Sequence, residues 1–94
     1  MLLLAVLSEG PAHGYAIIDR LRQRSGGAFD LPEGTIYPAL HRLESNGWLT
    51  SEWSEEAARR RRIYRLTSTG REVLEKRQQE WLFFSRAIDA TLGG

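Results

Sequence analysis

Between Thr35 and Asn46 apolar side chains recur at Ile36, Ala39, Leu40 and Leu43, the spacing that gathers a single stripe on an α-helix. About half a helical turn away stand Pro38, His41 and Ser45, with Thr35 and Arg42 on the shoulder. Asn46-Gly47 predicts the stop, because glycine accepts the left-handed backbone that ends many helices. Trp48 then falls where such an ending packs an apolar residue back onto Leu43. Pro38 lacks a backbone donor and crowds the preceding turn, so this helix is expected to start near Thr35 or to bend there.

The same reading divides the rest of the chain. Leu2 to Ser8 predicts a buried helix ended by Gly10-Pro11. Gly14 to Arg24 predicts a second, with Ile17, Ile18 and Leu21 inward and Asp19, Arg20, Arg22 and Gln23 outward. Ser25-Gly26-Gly27 breaks it, and Phe29-Asp30-Leu31 predicts a short strand. After Trp48, Leu49 to Trp53 and Arg62 to Leu66 alternate β-formers with polar residues and predict two antiparallel strands. The intervening Ser54 to Arg61 is longer than a tight hairpin turn and has no glycine, so it is expected to be a loop with a mobile tip. A core of Leu4, Leu7, Ile17, Leu21, Ile36, Leu40 and Leu43 follows. The fold class expected is mainly α with a small β-hairpin (α+β), a winged helix-turn-helix over residues 1–66 followed by a C-terminal dimerisation helix over residues 67–94.

That last helix opens on Thr69-Gly70-Arg71-Glu72, a capping-box pattern, with Thr67 as the alternative N-cap. Val73, Leu74, Trp81, Phe84, Ile88 and Leu92 share a stripe, while Leu82 and Phe83 lie off it. A helix apolar around more than half its circumference needs two partners, its own domain and a second copy of the chain. Leu74, Trp81, Phe84, Ile88 and Leu92 are therefore the expected dimer interface, with Leu2, Leu3, Leu4 and Val6 of the neighbour's first helix as a further contact.

A chain of 94 residues is one small domain. It has no cysteine, which removes disulfides and thiolate metal sites and makes cytoplasm the natural expectation. The opening apolar run is too short to span a bilayer and lacks the features of a signal peptide, so no membrane association is expected. Net charge is only +1, so attraction to a polyanion has to be local. Arg59, Arg60, Arg61, Arg62 and Arg65 supply it, with Glu52, Glu55 and Glu56 just before them. All but Lys76 of the 13 cationic side chains are arginine, which suits bidentate phosphate or guanine contacts, although a general arginine bias accounts equally well for the excess.

The chain resembles the PadR-family transcriptional regulators. The residues that carry the resemblance are Gly10-Pro11, His13-Gly14-Tyr15, Glu33-Gly34-Thr35-Ile36-Tyr37-Pro38-Ala39-Leu40, Leu43-Glu44, Gly47, Arg62-Ile63-Tyr64-Arg65-Leu66-Thr67 and Gly70, in order over residues 2 to 70. The resemblance implies a homodimeric winged helix that binds operator DNA, usually as a repressor, and is often released by a small molecule. It departs from the family at the wing tip, where Ala57-Ala58 stand in place of the common glycines, and its single C-terminal helix is like the family's short branch.

Thr35, Tyr37, His41, Arg42 and Ser45, with Arg59, Arg60, Arg61 and Arg62, are the candidate DNA contacts. A phenol at Tyr37 can reach a phosphate oxygen, and Arg42 can meet guanine or phosphate. The alternative is an ordinary solvated helix face, which the basic hairpin weighs against. Trp81 either fills the dimer interface or also walls a pocket for a small planar aromatic effector. His13 and His41 lie on different elements with no carboxylate at ligand spacing, so neither a metal nor a cofactor is expected. The Ser-Glu pairs lack a positioned base, so no catalysis is expected. Two rivals remain: a winged helix that binds protein in place of DNA, and a ligand sensor whose DNA binding is vestigial.

Overall fold

The computed structural model describes residues 1–56 and 59–93. Its elements are α1 (Leu2–Leu7), β1 (Ala12–His13), α2 (Gly14–Arg24), α3 (Glu33–Ser45), β2 (Leu49–Glu56), β3 (Arg59–Leu66) and α4 (Ser68–Thr91). The strands form an antiparallel sheet in the order β1-β3-β2. This is the winged helix-turn-helix expected, with α4 appended.

The predicted core is present. Leu4, Leu7, Ile17, Leu21, Ile36 and Leu40 are buried, while Leu43 is only partly so. Leu3, Val6, Ala12, Leu49, Tyr64 and Leu74 join them. The short α1 is thus buried on several sides within its own chain, and only Leu2 of the four residues expected to meet a neighbour stays exposed. Leu74 is likewise buried at home and is not available to a partner. Arg20 donates to the Gly10 carbonyl at 2.9 Å and Arg24 to that of Ala5 at 3.1 Å, closing the turn between α1 and α2.

Three local expectations are corrected. Phe29-Asp30-Leu31 forms no strand; the Phe29 amide donates to Ser25 Oγ at 2.9 Å, which holds the segment in a local turn, and the edge of β3 is occupied by Ala12 and His13. The hairpin extends well beyond Trp53, because Ser54, Glu55 and Glu56 lie opposite Arg61, Arg60 and Arg59. Glu55 opposite Arg60 sets unlike charges across the ladder, which favours pairing, and most of the loop expected over Ser54 to Arg61 is strand; Ala57-Ala58 lie outside the described residues. Finally, α3 starts at Glu33, ahead of Thr35, and runs through Pro38. The carbonyl of Pro32 receives the amides of Thr35 and Ile36 at 3.0 and 3.1 Å. Pro38 leaves the Gly34 carbonyl without its usual helical donor, a tolerable loss because Gly34 is exposed to water.

The end of α3 and the start of α4 are tied together. The Trp48 amide donates to the Leu43 carbonyl and the Gly47 amide to that of Glu44, each at 3.0 Å, with Gly47 at φ 78°; this is the Schellman ending expected from Asn46-Gly47-Trp48. Thr67, not Thr69, caps α4: its Oγ1 accepts from the Gly70 amide at 2.9 Å and donates to the Gly47 carbonyl at 2.7 Å. The Thr67 amide in turn donates to the Trp48 carbonyl at 3.1 Å. Gly70 packs so closely that a Cβ there would collide with that carbonyl.

Beyond this junction α4 leaves the domain. Its 24 residues span about 36 Å, and after Leu74 every side chain but that of Ser85 is exposed. The domain covers only the first turns of α4, so the apolar run Trp81-Leu82-Phe83-Phe84 has no partner within the described residues.

Gly70→Ala should lose about 1–3 kcal/mol of stability through overpacking against backbone. Gly34→Ala, where a Cβ meets nothing within 4 Å, should be neutral or slightly stabilising. Urea denaturation of the two variants at one protein concentration checks the contrast.

Candidate nucleic-acid interface

Three elements converge beside the outward face of α3. The first is the start of α2. His13 is its N-cap, in extended backbone, with Nδ1 accepting from the Ala16 amide at 3.3 Å. Gly14 follows and is buried, because the Tyr37 ring from α3 lies over it; a Cβ at Gly14 would overlap the phenol. The absent side chain therefore seats Tyr37 on α2 with its hydroxyl near the helix N-terminus. Burial, and secondly the Glu33 carboxylate, raise the Tyr37 pKa above its ordinary value. The phenol stays protonated at neutral pH and can donate to an anionic oxygen.

The second element is α3 itself. Gly34, Thr35, Pro38, His41, Arg42 and Ser45 are all exposed, opposite the buried Ile36 and Leu40. This is the helical phase expected from the apolar stripe. Thr35 and Arg42 occupy one flank, and Tyr37 occupies the other, on the side of Glu44.

The third is the wing. Register places Ser51, Trp53 and Glu55 on the same face as Tyr64, Arg62 and Arg60. Arg62 Nε donates to Ser51 Oγ at 2.8 Å, and Ser51 Oγ donates to the Glu44 carboxylate of α3. Arg62 also lies 3.7 Å from that carboxylate. The guanidinium carbons of Arg60 and Arg62 sit 4.5 and 5.3 Å from the centre of the exposed Trp53 ring, within cation–π range. Arg61 lies 2.9 Å from His13 Nε2. A neutral imidazole accepts through one nitrogen only, so the Arg61 contact competes with the N-cap bond.

Between these elements lies a cleft of about 360 Å³ whose walls include Tyr15, Tyr37 and Trp53 together with Arg60, Arg61 and Arg62, and among the described residues no carboxylate lines it. Tyr37 and three of the four wing arginines named from sequence are thus brought to one place. Thr35, His41, Arg42 and Ser45 are on the adjoining helix face and do not line the cleft. The side chain of Arg59 lies outside what the structure describes. Among the described residues no group of three or more metal-ligating side chains exists, and no helix is long and apolar enough to cross a membrane.

Several residues of this region carried no role in the sequence reading. Trp53 passed as one β-former among others, and only the register reveals that two guanidiniums flank it. Tyr15 belongs to the quoted His13-Gly14-Tyr15 motif, yet its exposure at the cleft is a tertiary fact. Glu44 and Ser51 read as unrelated surface polar groups until the hairpin folds against α3. On α4, Trp81 and Phe84 have ring centres 6.0 Å apart. Phe84, Ile88 and Leu92 border a hollow of about 200 Å³, which Trp81 does not line.

Comparison with known proteins gives the arrangement a context. The family described as "Transcriptional regulator PadR-like family" matches residues 3–76. A transcriptional regulator of Mycobacterium tuberculosis is 33% identical over 87 residues, covering 93% of this chain and 76% of its own length. A PadR family transcription regulator from Clostridium difficile superposes with a TM-score of 0.87 at 35% identity, over 97% of this chain and 94% of that one. A transcriptional regulator from Clostridium thermocellum gives 0.84 at 32% identity, over 94% and 86%.

Burial raises the pKa of Tyr64 as well as that of Tyr37, with the charges around Tyr64 acting in opposing directions. The folded protein therefore retains protons that the unfolded chain releases near pH ~10. The associated stability should be complete below that pH and decline as pH rises through the shifted values. Thermal melts from about pH 9 to 11 should show a shallower decline in Tyr37→Phe than in the parent protein.

Proposed function

The chain belongs to the PadR-like family of transcriptional regulators, and on that premise we propose that it binds operator DNA as a homodimer and acts as a repressor. The observation that carries this reading is the carboxylate-free cleft of arginines and phenols beside the exposed face of α3. In the proposed complex α3 of each subunit enters a major groove, and Thr35, His41, Arg42 and Ser45 face the bases or the adjoining phosphates. Tyr37 donates to a phosphate oxygen from its seat on Gly14. Arg60 and Arg61, whose present partners are an aromatic face and a contested imidazole nitrogen, exchange those ties for the DNA backbone. Such exchange is favourable because phosphate neutralisation releases condensed counterions. A helix that bound protein through the same face would gain nothing from this concentration of guanidinium groups.

Residues 1–66 then act as the DNA-binding unit and α4 as the dimerisation arm. The support is physical: Trp81, Leu82, Phe83, Phe84, Ile88 and Leu92 expose apolar surface on a projecting helix, and an isologous twofold contact is the commonest way to cover it. The Trp81–Phe84 pair offers flat aromatic walls at that contact, suited to a planar aromatic effector that alters the spacing of the two halves.

Duplex binding followed by fluorescence anisotropy across a salt series tests the DNA reading. Arg60→Ala and Arg61→Ala should each lower the salt slope by about 0.9 per subunit; a slope near zero in the parent protein would remove DNA as the partner. Trp81→Ala should move the protein toward monomer in sedimentation and weaken operator binding, since two linked half-sites bind more tightly than separate ones. An intact dimer after that change would take Trp81 out of the interface. Quenching of indole fluorescence by flat aromatic compounds, absent in Trp81→Phe, tests the effector site.

A further inference from the structure

The four consecutive arginines of the wing are not equivalent. We propose that Arg62 is a positioning residue that locks the wing against α3 through Ser51 and Glu44, and that it does not itself hold a phosphate. The inference rests on the DNA-binding reading and assigns a role within it.

Arg62 is tied on three sides. Its Nε donates to Ser51 Oγ at 2.8 Å, its terminal nitrogen lies 3.7 Å from the Glu44 carboxylate, and its plane lies by the Trp53 ring. The hydroxyl of Ser51 is fully oriented, because it accepts from Arg62 and passes its own hydrogen to Glu44. Among the described ion pairs this is the most shielded, with side chains 39% and 27% exposed against 45–66% elsewhere, so salt screens it least. Withdrawing Arg62 to meet a phosphate would leave the half-buried Glu44 carboxylate without its counter-charge and Ser51 Oγ without a donor, with only the Ser51–Glu44 bond remaining.

The location gives the lock its purpose. Glu44 lies in the last turn of α3 and Ser51 near the base of β2, and the chain between them turns at Gly47 with a positive φ. The backbone bonds of the Schellman ending fix that turn, but they lie at one end of an eight-residue strand. A side-chain tie further along the hairpin resists rotation of the whole wing. With it in place, Arg60 and Arg61 reach DNA at a set angle and distance from α3. Discrimination between duplexes depends on that shared geometry, whereas total charge does not.

The test separates charge from position. A duplex selected by the parent protein from a random-sequence pool is compared with its scrambled counterpart over a salt series. Arg62→Ala should leave the salt slope essentially unchanged while reducing the preference for the selected duplex by about tenfold, the scale of one misread base pair. Glu44→Gln should lose preference in the same way, although it removes a negative charge and on electrostatic grounds alone would tighten both duplexes. Arg62→Lys should fail to restore preference, because an ammonium cannot reproduce the planar fork. Arg61→Ala should do the reverse, lowering the slope by about one unit and keeping the preference.

A drop of about one unit in the slope for Arg62→Ala, restored by lysine, would make Arg62 an ordinary phosphate contact and overturn the proposal. So would uniform tightening by Glu44→Gln. If the parent protein selects no duplex, the DNA reading falls, and the lock is judged by melting alone. The Glu44→Gln/Arg62→Ala double variant should then melt no lower than the worse single variant, and additive losses would refute the lock.

Discussion

Everything outside the three-helix core hangs on one carbonyl group. The oxygen of Trp48 ends the turn out of α3, receives the amide of Thr67 at 3.1 Å and lies against Gly70 with no room for a side chain. The end of α3, the base of the wing and the root of α4 therefore meet at a point fixed by backbone geometry. Thr67 reinforces it by serving both sides, donating to Gly47 and capping α4. Three elements that must hold mutual angles over a long distance are joined where the angles are set by hydrogen bonds and close packing, with little freedom left to rotamers.

From that junction two arms extend with opposite chemistry. The wing is polar and cationic, and its side chains are already engaged: Arg62 with Glu44 and Ser51, Arg60 with Trp53, Arg61 with His13. The α4 arm holds to the domain as far as Arg77, whose guanidinium lies 5.1 Å from the centre of the Trp48 ring, and from Trp81 onward it exposes apolar surface. Exposed contacts of this kind contribute little to stability, about 0–1 kcal/mol for an ion pair, so in the proposed complex Arg60 and Arg61 can exchange theirs at little cost. Apolar surface has no comparable provisional partner other than water. The two arms thus differ in how their exposed groups are satisfied as well as in their chemistry.

The helices and most of the core were legible in the sequence because burial in a helical domain is periodic, and the pairs Leu4 and Leu7, Ile17 and Leu21, and Ile36 and Leu40 each stand at helical spacing. The Asn46-Gly47-Trp48 ending was legible because its mechanism is local. The two-residue strand β1 was not, since nothing in Ala12-His13 favours a strand; the edge of β3 imposes it. The length of the hairpin was missed because a segment longer than a tight turn suggested a loop, whereas the ladder continues through Ser54 and Glu55 opposite Arg61 and Arg60. On α4 the apolar stripe was visible, but whether Leu74 faced its own core or a partner depended on where the domain ends. Of the candidate DNA residues, the exposed positions of α3 followed from helical phase. The union of Tyr37 with Gly14, and of Arg62 with Glu44, joins residues from separate elements, and no spacing rule announces such pairs.

The strand order β1-β3-β2 leaves the outer side of β2 unpaired, and β1 covers β3 only at Ile63 and Tyr64. Open strand edges invite pairing with other chains. Here β2 carries Glu52 on one face and Glu55 on the other, and the uncovered part of β3 carries its arginines, so two copies pairing edge to like edge would bring side chains of the same sign together. The acidic strand and the basic strand attract each other within one hairpin and repel their counterparts in another. Segregating sign by strand in this way opposes the pairing of like edges, which a mixed pattern of equal net charge would not.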